Sequence, residues 1–344
     1  MEQQKALKTL RPQSVLIPLF LAVGLIAWLV YQDENITAES FSYITSISFA
    51  ALLGALLMLG LKDFSNMLRF RFMSHGAIDL KGAFYVVLLW EFAVAVAPPL
   101  LGVTPVLVFI LFRQTASFGK ALSYAFLAAS LDNLFFLTAT PIALFVAGDG
   151  IIPEIPLFPS QPDTKVSYLF WLSYLMIVGY TAFMLFSIVI MPKFINKVLV
   201  SLTRFKWVSK YKEQILTQGH ELLLASKILR GQKMGYWLKL LVFTYVVWGL
   251  KYAVFNFVAA GFQSLSFTEH IEVWGKQLTM WVTLLVSPAP GNAGTAEFVF
   301  PAFYGELLGQ FSFAASMVWR FITYYPYLLV GVVVLPLWMK KSQQ

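Results

Sequence analysis

Five ionisable residues lie inside or beside strongly apolar stretches of the chain: Glu91, Asp132, Lys251, Glu297 and Arg320. A charge at the centre of a bilayer costs roughly 2.5–3.5 kcal/mol on insertion scales, so such groups face protein or a polar cavity and pair. Opposite signs on different segments point to ion pairs, Glu297–Arg320 first and Asp132–Lys251 second. These pairs could simply hold spans together. They could also line a path for a charged headgroup, where a guanidinium grips phosphate through two parallel N–H donors. Other chemistry is poorly provided for. The chain has no cysteine, which excludes disulfides, thiolate metal sites and cysteine nucleophiles. His75, His220 and His270 lie far apart, outside any metal-ligand spacing such as HExxH. No metal is therefore expected, and nothing implies a cofactor. Glu272, Lys276 and Glu306 sit nearer the ends of apolar stretches and read as rim or snorkelling charges.

The element that must position Glu297 is the stretch SPAPGNAGTAE at 287–297. Pro288, Pro290, Gly291 and Gly294 fall within eight residues, a density of breakers that no continuous helix tolerates. Both flanks are apolar. At membrane depth, irregular backbone persists only where protein buries it or where it lines a water-filled cavity. A tight surface turn between two helices is the plainer alternative. A second break, PPLLGVTP at 98–105, interrupts another apolar region. Half-helices beginning at Thr104–Pro105 and at 292–294 would aim backbone N–H groups at a shared anion.

The rest of the chain supplies spans. Its 344 residues are 59% hydrophobic and 12% charged, against about 45–50% apolar in soluble domains. The expected fold is an all-α polytopic membrane protein forming one membrane domain over 1–344. Full spans are read at 15–31, 41–61, 121–148, 167–191, 236–261 and 314–338. The first shows no cleavage signature and should remain as an anchor. Broken regions are read at 82–112 and 271–313. The net charge of +8 sits in loops between apolar spans, which favours an anionic lipid surface over nucleic acid as partner. With 62–81 and 192–239 among the cytoplasmic loops, 21 of the 25 lysines and arginines fall on one side. That bias puts both termini in the cytoplasm of a multi-pass protein of the cytoplasmic membrane.

Each broken region then enters and leaves by one face, the two faces being opposite. The result is six full spans plus two re-entrant hairpins in an inverted repeat, about 1–148 and 167–338. Paired interrupted segments of this kind mark binding sites in secondary transporters. Spacing agrees: Asp132 follows Pro105 by 27 residues, and Arg320 follows Gly294 by 26. Eight or more full spans without a repeat is the alternative. Residues 192–235 read as a basic amphipathic helical segment on the cytoplasmic face.

SPAPGNAGTAEFVFPAFYG followed by MVWRFITYYPYLLVG resembles the signature of the lysylphosphatidylglycerol synthase transmembrane region, a flippase-like integral membrane family. Pro290, Gly291, Gly294, Glu297, Arg320 and Pro326 fall on its P-G-x-x-G-x-x-E and final-span pattern. LRFRFM at 68–73 and APPLLGVTPVLVFILFRQTASFGKAL, with Arg113, resemble its upstream half. Where relatives carry an acidic–arginine pair, this chain has Asp132–Asn133. The resemblance implies a lipid flippase moving an anionic or glycosylated headgroup across the cytoplasmic membrane. Arg320 and Arg113 would bind phosphate, while Glu297 and Asp132 would pair with the cations in one state. Pro290, Gly291, Gly294 and Lys251 would complete the substrate site. The family's fused aminoacyltransferase domain is expected to be absent, so no enzyme activity is expected. Expected partners are membrane phospholipids or glycolipids, not nucleic acid, and a homo-oligomer is compatible. The rivals are an intramembrane lipid-modifying transferase using Glu297 or Asp132 as general base, and a non-transporting partner of a lipid-synthesis enzyme.

Overall fold

The computed structural model describes residues 38–99, 104–158, 161–184 and 231–341, with scattered single positions elsewhere. The span read at 15–31 and most of the basic segment read at 192–235 lie outside the described residues.

The chain is an all-α polytopic membrane protein. In order, the helices are α1 (Ala38–Ser42), α2 (Phe49–Met73), α3 (Leu80–Val96), α4 (Thr104–Thr115) and α5 (Phe118–Ala147). A small antiparallel hairpin follows, β1 (Pro156–Phe158) with β2 (Gln161–Lys165). Then come α6 (Val166–Met184), α7 (Met234–Phe262), α8 (Phe267–Thr283), α9 (Thr295–Leu308), α10 (Ser312–Thr323) and α11 (Tyr325–Lys341). Among the described residues, five stretches are long and apolar enough to cross a membrane, including α2, α6 and α7. Their outward faces carry Phe49, Phe145 and Leu329, all largely exposed, because lipid tails accept apolar side chains that water would drive inside.

Polar side chains start α3 and α8. Asp79 Oδ1 accepts from the Gly82 N–H at 2.7 Å to open α3. Ser266 and Glu269 form a reciprocal capping box at the start of α8. Both breaks read from the sequence are present, one between α3 and α4 and one between α8 and α9.

Two readings need correction. The span read at 41–61 does not end before a basic loop. Helix α2 continues to Met73 and carries Lys62 and Arg69 into the interior, where carboxylates receive them. The span read at 314–338 is two helices, divided at Tyr324. Pro326 explains the division: it has no N–H for the Ile322 carbonyl, and its ring crowds that turn.

Packing follows close approaches. Helices α2 and α7 run antiparallel, Gly261 lying on Ile47 and Ala51 at one end and Tyr236 bonding the Met73 carbonyl at the other. Helix α3 packs on α11, where Gly331 seats the Phe92 ring, and α8 packs on α5. The two breaks meet: the Gly291 N–H donates to the Ala97 carbonyl at 3.0 Å.

Gly291 has φ +57°, and a Cβ there would collide with the Ala95 carbonyl and the Tyr324 ring. Gly291→Ala should destabilise the protein by about 2–3 kcal/mol through backbone strain and collision, read as a lower thermal midpoint in detergent. Gly249→Ala, whose Cβ meets nothing within 4 Å, should leave the midpoint unchanged or raise it. Equal effects at both positions would remove the break-to-break contact as the explanation.

Candidate functional site

The segment from Ser287 to Gly294 leaves helical geometry without leaving a donor unpaired. Ser287 donates to the Leu284 carbonyl, Asn292 to Ala289 and Ala293 to Pro290. The Ala289 N–H reaches Ser287 Oγ at 3.2 Å, and Gly291 reaches Ala97. The Gly294 N–H reaches Glu297 Oε2 at 2.8 Å. Pro288 and Pro290 carry no N–H to satisfy. The sequence therefore removes the donors that local geometry could not pair, which a low-dielectric surrounding requires.

Glu297 is the keystone of this segment. One carboxylate oxygen caps α9 and the other accepts from Arg320 Nε at 2.7 Å, both side chains being almost wholly buried. A carboxylate in the first helical turn also complements the helix dipole. Arg320 donates a longer bond to the Gly291 carbonyl, and its guanidinium lies 3.9 Å from the Tyr324 ring centroid. The first ion pair read from the sequence is thus present. The N–H groups of 292–294, expected to face an anion, are instead taken by the Ala289 and Pro290 carbonyls and by Glu297 itself.

Beside this pair lies a cavity of about 110 Å³, room for several water-sized groups. Both breaks reach its wall, through Pro99 on one side and Gly291 and Asn292 on the other. Its charged lining is Lys62, Glu91, Lys251 and Arg320. Lys62 Nζ stands 2.6 Å from Glu91 Oε1 and 2.8 Å from Asp63 Oδ1. Tyr327 OH closes the group, 2.8 Å from Asp63 Oδ2 and 3.0 Å from Lys62 Nζ. Two carboxylates thus share one ammonium.

The second pairing read from the sequence is not formed. Asp132 binds Arg69 at 2.6 Å and accepts from Trp248 Nε1 at 3.0 Å. Lys251 Nζ instead sits 4.5 Å from the centroid of the Trp248 ring and 5.5 Å from that of Trp281. The indole of Trp248 serves both groups, its N–H the carboxylate and its ring face the ammonium. Among the described residues, no carboxylate lies within ion-pair distance of Lys251. Cation–π attraction contributes about 2 kcal/mol at a desolvated site, a partial substitute for a counter-ion.

Asp132 lines a separate, smaller cavity with Arg69 and Thr104. Arg113 is exposed on the last turn of α4, near the Phe109 ring, and lines neither cavity. Pro290 and Gly294 shape the second break. Lys276, read as a rim charge, is buried and pairs with Glu272 one turn earlier at 2.6 Å. The residues missed by sequence reasoning are Lys62 and Arg69, which the sequence places among the loop charges, and Asp63, which it does not single out. Their signal was spacing: Lys62, Asn66, Arg69 and Met73 recur at helical intervals on the buried face of α2.

The family model described as the lysylphosphatidylglycerol synthase TM region matches residues 15–331. A UPF0104 membrane protein of Archaeoglobus fulgidus is 24% identical over 315 residues, covering 90% of this chain and 88% of its own length. No solved structure matches.

Glu297→Gln strands the Arg320 guanidinium inside the bundle and should cost about 3–5 kcal/mol. The double substitution Glu297→Leu with Arg320→Met removes both charges and should recover most of that loss. Denaturant titration of the purified protein checks both. Equal losses in the single and double variants would show that the pair's hydrogen bonds, not its charge balance, hold the break.

Proposed function

Because the chain belongs to the lysylphosphatidylglycerol synthase TM region family, we propose that it is a lipid flippase. On this reading it carries an anionic or glycosylated headgroup across the cytoplasmic membrane, with both termini on the cytoplasmic side. The observation that carries the reading is the charged cavity between the two breaks, lined by Lys62, Glu91, Lys251 and Arg320 inside an otherwise apolar bundle. Buried charge of this density is expensive in lipid and marks substrate or ion paths. Acyl tails would remain in the bilayer while the headgroup crosses the cavity.

Packing supports an inverted repeat. Helices α2 and α7 occupy equivalent places in the two halves and run antiparallel against each other. The first helix of each broken region packs on the last span of the other half: α3 on α11, and α8 on α5. The two breaks touch at the centre. This is the arrangement expected when two halves of opposite topology rock about a site between them.

The transferase reading is less well supported. A general base needs a lone pair within reach of its substrate. Glu297 has both oxygens engaged, by Arg320 and by the Gly294 N–H, and the charge of Asp132 is balanced by Arg69, which shares its Oδ1 with Trp248.

Leaflet-resolved lipid accessibility in proteoliposomes tests the proposal against a panel of labelled anionic and glycosylated lipids. The protein should speed transbilayer movement of at least one of them. The double substitution Glu297→Leu with Arg320→Met should slow that movement about tenfold, the loss expected for a charge-assisted contact. If the protein moves no lipid in the panel, the flippase reading fails. A missing lipid species in a deletion strain, rather than a mislocated one, would favour the transferase.

A further inference from the structure

The six charges around the cavity are distributed unevenly. Arg320 and Glu297 neutralise each other in one tight pair. Lys62 is held by two carboxylates, Asp63 and Glu91, so that group carries one surplus negative charge. Lys251 is the compensating cation, yet among the described residues it touches no carboxylate and rests on indole faces in the cavity lining. The sum is zero only while Lys251 answers the surplus on the Lys62 group. A second observation marks the cavity as a binding place. The Gln277 Nε2, Tyr252 OH and Asn292 Oδ1 atoms belong to residues lining the same cavity, and each is buried without a hydrogen-bond partner. Buried polar atoms are normally paired.

We propose that Lys251 anchors one phosphodiester anion in this cavity, and that each anion bound brings one proton onto the Asp63–Lys62–Glu91 group. The physical step is charge balance. An anion on Lys251 consumes the compensation that the carboxylates had, and the surplus negative charge then stands in a low-dielectric interior. A proton on Asp63 or Glu91 removes it. The titratable and charged groups around Asp63 and Glu91 are Lys62 of α2, Lys251 of α7, Arg320 of α10 and Tyr327 of α11. Arg69 and Asp132, joined by an ion pair and bonded to Trp248 Nε1, face the same group and add no net charge to it. Gln277 would donate to a phosphate oxygen, while Asn292 and Tyr252 would meet hydroxyls of the substituent. The only covalent change is the O–H bond formed when a hydronium ion from solvent passes its proton to the carboxylate, leaving water; the proton returns to solvent when the anion leaves. The inference rests on the transport reading only for taking the ligand to be a lipid headgroup.

The experiment is binding of soluble glycerophosphoglycerol to the full chain in detergent, measured by calorimetry between about pH 5.5 and 8.5. A phosphodiester keeps its charge across that range, so any slope belongs to the protein. Affinity should rise as pH falls, approaching tenfold per unit for one proton per anion. Lys251→Gln should weaken binding about tenfold. Asp63→Asn should keep the binding and flatten the slope, because the surplus charge is already gone; a merely structural role for Asp63 would not move the slope. Flat pH dependence in the wild type would overturn the proton step. Undiminished binding in Lys251→Gln would overturn the anchor. Should either variant fail to fold, the wild-type slope alone decides the proton step, and Lys251→Arg, which keeps the charge, should bind as the wild type does. Vesicles of phosphatidylglycerol, compared with the soluble compound, separate a lipid headgroup from a free phosphodiester. Binding with the expected slope but without lipid movement would sink the flippase reading and leave this inference standing. Lipid movement indifferent to pH and to Lys251 would do the reverse.

Discussion

A backbone N–H at membrane depth has no water to bond, and the whole centre of this protein is arranged around that constraint. Between Ser287 and Gly294 the chain abandons the helix, so each peptide donor has to find an acceptor outside the helical ladder. It does so through a serine side chain, tight turns, a glutamate one turn ahead and the carbonyl of Ala97 in the other break. The last of these ties the two interrupted regions into one unit. Glycine at 291 is what makes that tie possible, since a side chain there would strike the Ala95 carbonyl. Fixing the break in turn fixes Glu297, Arg320 and the wall of the cavity.

The charges are sorted by how firmly they are held. Arg320 and Arg69 each have a carboxylate at hydrogen-bond distance, Arg320 joining α10 to α9 and Arg69 joining α2 to α5. Lys62 is held still more tightly, by two carboxylates and a tyrosine. Lys251 differs in kind. Its ammonium is held by indole faces, and the cluster behind it, with Phe136 stacked on Trp281 at 4.4 Å, keeps those faces in place. An ammonium on an aromatic floor stays available to an anion in a way that one clamped by carboxylates does not.

Sequence reasoning reached the parts that depend on local chemistry. Prolines and glycines declared both breaks, because no helix accommodates Pro288, Pro290 and Gly291 together. Opposite charges in adjoining apolar segments declared Glu297 and Arg320. What it missed depends on partners distant in sequence. Lys62 and Arg69 look like loop charges while the helix is assumed to stop at Leu61; only Glu91 and Asp132, across the fold, make their burial tolerable. Asp132 and Lys251 look like a pair until Trp248 is placed between them. Pro326 was visible, yet its effect on the last span depended on the Ile322 carbonyl four residues earlier.

These failures share a cause that bears on the site itself. Charge counting along a chain treats each ionisable group as belonging to its nearest opposite, whereas a packed interior assigns partners by geometry. Here the geometry leaves two carboxylates with one lysine and one lysine with none. Such an imbalance is costly to keep in lipid, and replacing any one member would simplify it. It is tolerated because Lys251 compensates the carboxylates from the cavity wall without an ion-pair contact, so that an anion can take up its charge. A direct Lys251–Glu91 contact would be more stable and would leave nothing for a ligand to exchange with.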